Sequence, residues 1–357
     1  MRLQPLFSLP GALLLAFSLS LREAEARPWK IYLLFGQSNM TGGAAMTSQD
    51  VFNNPRVKML AYNNCSGKTY NEWYTANGGL HCGSGFGIGD WFGKVAADSL
   101  KDDTLALIPC AIAGVPIDFF QKGVVSSRRT EFSIPPDNHW EGAYPWVVSR
   151  LQLALQKGEM AGILLHQGEA DWTAELQKAW QGKVTGIYSD LKKDLGFGDV
   201  PFLIGELRAD SKACCRGNNA YIAQTAKALP QGYVVSSADL TVNNDAYHFD
   251  GNGLREFGKR YAAAYLQALK TTSVADGAES GKGAAWYFRE AGGSRSLAFR
   301  RPQDRIRILD AGGRLLAEGS GLELALPAAA ASGPLFFRAS SGSGNAQGAL
   351  PTARTGP

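Results

Sequence analysis

Histidine is scarce in this 357-residue chain, which has four, and cysteine is nearly as scarce, with five. No Cys-x-x-Cys and no His-x-x-x-His spacing occurs, so a structural or catalytic zinc site has little support, and neither a metal nor another cofactor is expected. Charge is also thin, at 19% Asp, Glu, Lys and Arg with a formal net charge of +4. The surplus is local: residues 285 to 357 hold nine Arg, no Lys and five acidic residues, which leaves the rest of the chain near neutral. Without a basic stripe interleaved with aromatics, nucleic acid is not an expected partner. Beyond Leu21 no apolar run is long enough to cross a bilayer.

The amino-terminal stretch is the exception that explains itself. Met1-Arg2 leads into an apolar run from Leu6 to Leu21 that is short for a span and broken by Pro10 and Gly11, and Ala24-Glu25-Ala26 follows. This is the pattern of a signal peptide over residues 1–26, with a mature chain starting near Arg27 that is secreted, periplasmic or held at the cell surface. An odd number of cysteines fits export only partly. Cys65 and Cys82 flank a Gly/Asn-rich loop and are the best candidate bridge. Cys214 and Cys215 are adjacent, where a ring is strained, so pairing is not the expectation there. Cys110 lies in an apolar run and reads as a buried free thiol.

Strand-like apolar runs recur at Lys30 to Phe35, Thr104 to Ile108, Gly162 to Leu165, Val200 to Glu206 and Gly232 to Ser236. Helical patterns lie between them at Ile88 to Leu100, Val147 to Gln156 and Ala174 to Lys193. A last helix carries Leu254, Phe257, Tyr261, Tyr265 and Leu269 on one face, with Asp250 or Asn252 placed to cap it. Such alternation predicts an α/β domain, a parallel sheet with helices on both faces, over residues 27–270. Residues 271–284 read as a linker. Period-two runs with Gly turns, notably Asp310-Ala311-Gly312-Gly313, predict a small antiparallel β module over 285–339, and the tail 340–357 reads as disordered.

Three segments carry chemistry. Gly36-Gln37-Ser38-Asn39-Met40 follows the first strand, His166-Gln167-Gly168-Glu169 follows the third, and Asp245-Ala246-Tyr247-His248 precedes the last helix. Ester hydrolysis by serine needs a hydroxyl, a base, an acid that orients the base, and donors for the developing oxyanion. Among the four histidines, His81 and His139 sit in loops that suggest surface or substrate-lining roles, and His166 ends a buried strand. His248 differs in that Asp245 lies three residues earlier on the same loop, close enough to fix the imidazole tautomer.

Together with Pro109-Cys110-Ala111-Ile112-Ala113-Gly114-Val115-Pro116-Ile117, these blocks resemble, over about residues 28 to 270, the sialate O-acetylesterase-like branch of the SGNH hydrolases, which also holds the carbohydrate esterase family 6 acetylxylan esterases. The resemblance implies a flavodoxin-like three-layer α/β/α domain, no metal, and hydrolysis of acetyl esters on carbohydrates. It implies Ser38 as nucleophile and His248 with Asp245 as base and orienting acid, Glu169 being the alternative acid. It implies an oxyanion site built from the Ser38 and Gly114 backbone N–H groups and the Gln167 side-chain amide. Ala113-Gly114-Val115 departs from the family's usual Gly-Gly-Thr, which keeps a backbone donor but alters the turn.

Aromatics in loop-like segments, Trp73, Tyr74, Trp140 and above all Trp172, are candidates to stack on sugar rings. An acetylated polysaccharide such as xylan is the leading substrate, O-acetylated sialic acid or another glycan the first alternative, and a non-catalytic carbohydrate-binding protein the second. The β module reads as a sorting or accessory unit. Its pattern loosely resembles the carboxy-terminal secretion domains of exported bacterial enzymes, so secretion or cell-surface machinery is its expected partner.

Overall fold

The computed structural model describes residues 27–82, 85–125, 129–136, 142–275, 286–291, 294–309, 315–325, 335–341 and 344–350. The expected signal peptide, Trp140, His139 and the Asp310 turn lie outside them.

The five apolar runs all form strands, at β1 (Trp29–Gly36), β4 (Leu105–Ala111), β5 (Gly158–His166), β6 (Phe202–Gly205) and β7 (Gly232–Val235). Two short strands that the apolar pattern does not announce complete the sheet, β2 (Val57–Leu60) and β3 (Trp73–Thr75). The order is β3-β2-β4-β1-β5-β6-β7, parallel throughout except where edge strand β3 runs against β2. The core of β1 is apolar on both faces, as expected of a central strand covered twice. Ile31 through Phe35 are at most 1% exposed, and each such side chain contributes about 1.5–3 kcal/mol by leaving water.

Alternation along β1 divides the core into two layers. Ile31, Leu33 and Phe35 pack with Trp146 of α3 (Tyr144–Leu155), Trp180 of α4 (Ala174–Leu195) and Ile222 of α5 (Asn218–Ala228). Tyr32 and Leu34 face the opposite way, against Phe92 of α2 (Ile88–Ser99) and Phe257 and Tyr261 of α6 (Gly251–Ala275). This is the expected three-layer α/β/α fold. Asp250 caps α6, accepting from the Gly253 N–H at 2.8 Å. The helix runs five residues into the segment read as linker, because Thr271 to Ala275 contain no helix breaker.

Carboxy-terminally, β8 (Trp286–Ala291), β9 (Ser294–Leu309), β10 (Leu315–Ala325), β11 (Leu335–Ser341) and β12 (Gly344–Leu350) pair antiparallel. Here the expectation of a disordered tail from Ser340 is corrected: β12 pairs with β11 through main-chain bonds, which small residues such as Gly344, Ala346 and Gly348 supply as well as large ones.

Candidate active site

Three adjacent strands, β4, β1 and β5, end side by side, and the loops leaving their carboxyl ends, together with the loop that leads from β7 into α6, build the site, where open α/β sheets bind ligands. Gly36 closes β1 at φ +130°, and a Cβ there would lie 2.0 Å from the His166 carbonyl oxygen, so only glycine lets β1 and β5 meet at this level. The chain then turns into the single-turn helix α1 (Ser38–Thr41), with Ser38 half-buried as its first residue. At that position the Ser38 N–H has no intrahelical acceptor.

Ser38 Oγ lies 2.9 Å from His248 Nε2, and His248 Nδ1 lies 3.0 Å from Asp245 Oδ2. The pattern assigns the proton to Nδ1, leaving Nε2 to accept from the hydroxyl. The other carboxylate oxygen, Asp245 Oδ1, accepts the N–H groups of Tyr247 at 2.7 Å and His248 at 2.8 Å. Burial raises the Asp245 carboxyl, but these two N–H donors and the imidazole outweigh it, and the net shift is below the usual carboxylate range.

Glu169 is placed differently. It is buried, and its Oε1 accepts the Asn39 amide at 2.8 Å and lies 3.7 Å from His166 Nδ1, while Oε2 has no partner. Burial pushes its carboxyl up to about 7 and drives the neighbouring His166 imidazole down to about 4. The carboxylate on His248 is that of Asp245.

Gln167 requires a correction. It is fully buried, with its Nε2 on Asp171 Oδ2 at 2.6 Å, on the Val115 carbonyl at 3.1 Å and near Gln37 Oε1 at 3.3 Å, while its Oε1 accepts from Trp180 Nε1 at 2.6 Å. An amide NH₂ has two hydrogens, so none is left to aim at an oxyanion. Gln167 instead ties the loop after β4 to the loop after β5. Gly114 sits exposed in the turn after β4, and Ile112, two residues earlier, is anchored to the Gly36 carbonyl at 3.0 Å.

Trp172 is exposed, at 67%, on the loop that continues from Glu169, and Tyr247 is a second exposed aromatic, on the His248 loop. Trp73 and Tyr74 belong to edge strand β3, with Trp73 packed edge-on against Trp29, away from these loops. His81 is buried rather than lining a surface. Its Nε2 accepts the Ala111 N–H, and burial together with Arg150 pushes the imidazole down to about 3.

Two residues escaped the sequence reading. Asn39, 2% exposed, donates to Glu169 and to the Tyr247 carbonyl and accepts the Phe249 N–H, so it fastens the His248 loop to α1. Its signal was only a polar residue next to Ser38. Arg208, 3% exposed, donates into the same loop, and a lone Arg after a strand carries no signal. Cys65 and Cys82 are bonded as expected and Cys110 is free and buried. Cys214 and Cys215 are bonded too, against expectation, with the Cys214 N–H on the Ala246 carbonyl and Cys215 Sγ 3.3 Å from the Glu169 carbonyl oxygen. Among the described residues no three His, Cys, Asp or Glu side chains gather to hold a metal ion, and no helix is long and apolar enough to cross a membrane.

Among solved structures, the chain is similar to a protein from Arabidopsis thaliana at 20% identity, covering 67% of this chain and 98% of that one with a TM-score of 0.55. It is similar to NanS at 15% identity, covering 69% and 99%, with a TM-score of 0.54. A carbohydrate acetylesterase from Xanthomonas citri is 18% identical over 89% of this chain and 77% of its own, with a TM-score of 0.49. The first two likenesses show a shared fold. The profile of the family described as SASA, carbohydrate esterase, sialic acid-specific acetylesterase, matches residues 28–267, more than half of the chain, and the chain therefore belongs to that family of carbohydrate acetylesterases.

Proposed function

We propose that this chain is an exported serine esterase that removes O-acetyl groups from a glycan, with acetylated xylan as the leading substrate. The observation that carries the reading is the continuous relay from Ser38 Oγ through His248 to Asp245, at 2.9 and 3.0 Å. Ser38 Oγ attacks the acetyl carbonyl carbon as His248 Nε2 takes its proton, while Asp245 holds the opposite ring nitrogen and stabilises the imidazolium. The carbonyl electrons move onto oxygen, where the Ser38 and Gly114 N–H groups receive them. Collapse breaks the bond to the sugar oxygen, which leaves with the proton from His248. Water, activated by the same imidazole, then releases acetate from Ser38.

Trp172, with its apolar face in water beside these loops, serves as a stacking surface for a sugar ring. The buried Arg208 is spent on main-chain carbonyls and two carboxylates, so it is not free to meet a charged substrate. A second reading, O-acetylated sialic acid, is favoured by the family's description and by the exposed Lys212 and Arg216 flanking the Cys214–Cys215 pair, which would suit a sugar carboxylate. Acetate release from acetylxylan and from O-acetylated sialoglycans, by wild type and Ser38→Ala, tests both. The expected result is release from acetylxylan that Ser38→Ala lowers by at least about 10³-fold. Release from sialoglycans alone selects the second substrate, and equal release by the variant defeats the mechanism.

A further inference from the structure

We infer that Arg208 is a positioning residue for ester hydrolysis, acting through Asp245 and the loop that carries His248. The inference rests on the reading of Ser38, His248 and Asp245 as the reacting set. Arg208 follows β6, the strand between those whose loops carry Glu169 and His248, and its guanidinium is divided between two tasks. Its Nε and Nη2 edge grips Asp210 in a fork, at 3.0 and 3.1 Å. That fork fixes the plane of the group and turns Nη1 towards the His248 loop.

Nη1 meets four oxygens there: the carbonyls of Asn243 at 3.3 Å, of Asp245, and of His248 at 3.3 Å, and the Asp245 carboxylate Oδ1 at 3.4 Å. One cation thus gathers the main chain on both sides of Asp245 and touches the carboxylate oxygen that does not face the imidazole. With Oδ1 held by Arg208 and the Tyr247 and His248 N–H groups, rotation of the carboxylate is blocked and Oδ2 stays on His248 Nδ1. Because Arg208 is 3% exposed, its charge acts through protein rather than water and is weakly screened.

Around His248 stand Asp245 on its own loop, Arg208 with Asp210 after β6, and His166 at the end of β5 with Glu169 just beyond it.

Two variants separate charge from geometry in 4-nitrophenyl acetate hydrolysis. Arg208→Met should lower kcat by about 10²-fold with KM within about twofold. Arg208→Lys keeps the charge but not the fork, so kcat should fall only about tenfold. A folded Arg208→Met enzyme with wild-type kcat overturns the inference. If Arg208→Met does not fold, Arg208→Lys decides: a tenfold kcat loss at constant KM sustains it, and wild-type kcat overturns it. Ser38→Ala and His248→Ala run alongside. If either retains turnover, the reading of the reacting set has failed; if both are inactive while the Arg208 variants behave as wild type, only the present inference has.

Discussion

Asp245 and Glu169 stand on neighbouring loops at one edge of the sheet, and the same functional group meets opposite surroundings. The Asp245 side chain is 40% exposed, accepts two backbone N–H groups and stays ionised. The Glu169 side chain is 3% exposed, takes one amide from Asn39, leaves Oε2 without a partner and is pushed up to about 7. Donor count and water, more than closeness to a motif, decide which carboxylate can stabilise an imidazolium at neutral pH. Glu169 then reads as a strut: through Asn39 it braces the His248 loop rather than the imidazole itself.

The sharpest way to break this contrast is to neutralise each acid in turn. Asp245→Asn should lower kcat for 4-nitrophenyl acetate by about 10³–10⁴-fold, because the imidazole loses its anionic partner. Glu169→Gln should stay within about tenfold of wild type, since a Gln Oε1 still accepts the Asn39 N–H. The reverse ranking would exchange the two roles.

A smaller effect is expected from the residue that joins the two environments. Asn39→Ala removes the links to Glu169, Tyr247 and Phe249 together. It should cost about 2–3 kcal/mol in urea unfolding and about 10–100-fold in kcat as the His248 loop loosens. Unchanged stability would mean that the loops hold their places without it.

The mildest test concerns stability against pH. Glu169 keeps its proton in the folded state up to about 7, against 4.5 ordinarily, so it makes stability decline as pH rises between those values. His166, held at about 4 against 6.5, binds fewer protons when folded and makes stability rise with pH across a similar window. The slopes oppose each other in the wild type. In Glu169→Gln only the His166 slope remains, so the variant should gain on wild type from pH 4.5 to 7, by up to about 3 kcal/mol in denaturant titrations. Parallel curves would show that Glu169 does not hold its proton.

Much of this was legible because central parallel strands must be apolar on both faces, and the run from Ile31 to Phe35 is such a strand. The short strands β2 and β3 were not, being four and three residues long with no sustained pattern. Helix α5 buries little besides Ile222, Thr225 and Ala226, too weak a stripe to read. Spacing alone favoured Asp245 over Glu169, since three residues on one loop limit how far apart two side chains can be. The direction of the Gln167 amide could not be read, because it depends on Asp171, Trp180 and Val115 converging from other parts of the chain. Arg208 was hidden for the same reason: its partners on the His248 loop lie 35 to 40 residues away.

The central claim is that Ser38 is activated by His248 and Asp245, and a fluorophosphonate probe followed by peptide mass spectrometry tests it most directly. The account predicts adduct on Ser38 alone, formed at similar rates in wild type and Glu169→Gln, and at least about 100-fold more slowly in Asp245→Asn and His248→Ala. Adduct at another residue, or labelling of Ser38 at the wild-type rate in His248→Ala, would contradict it.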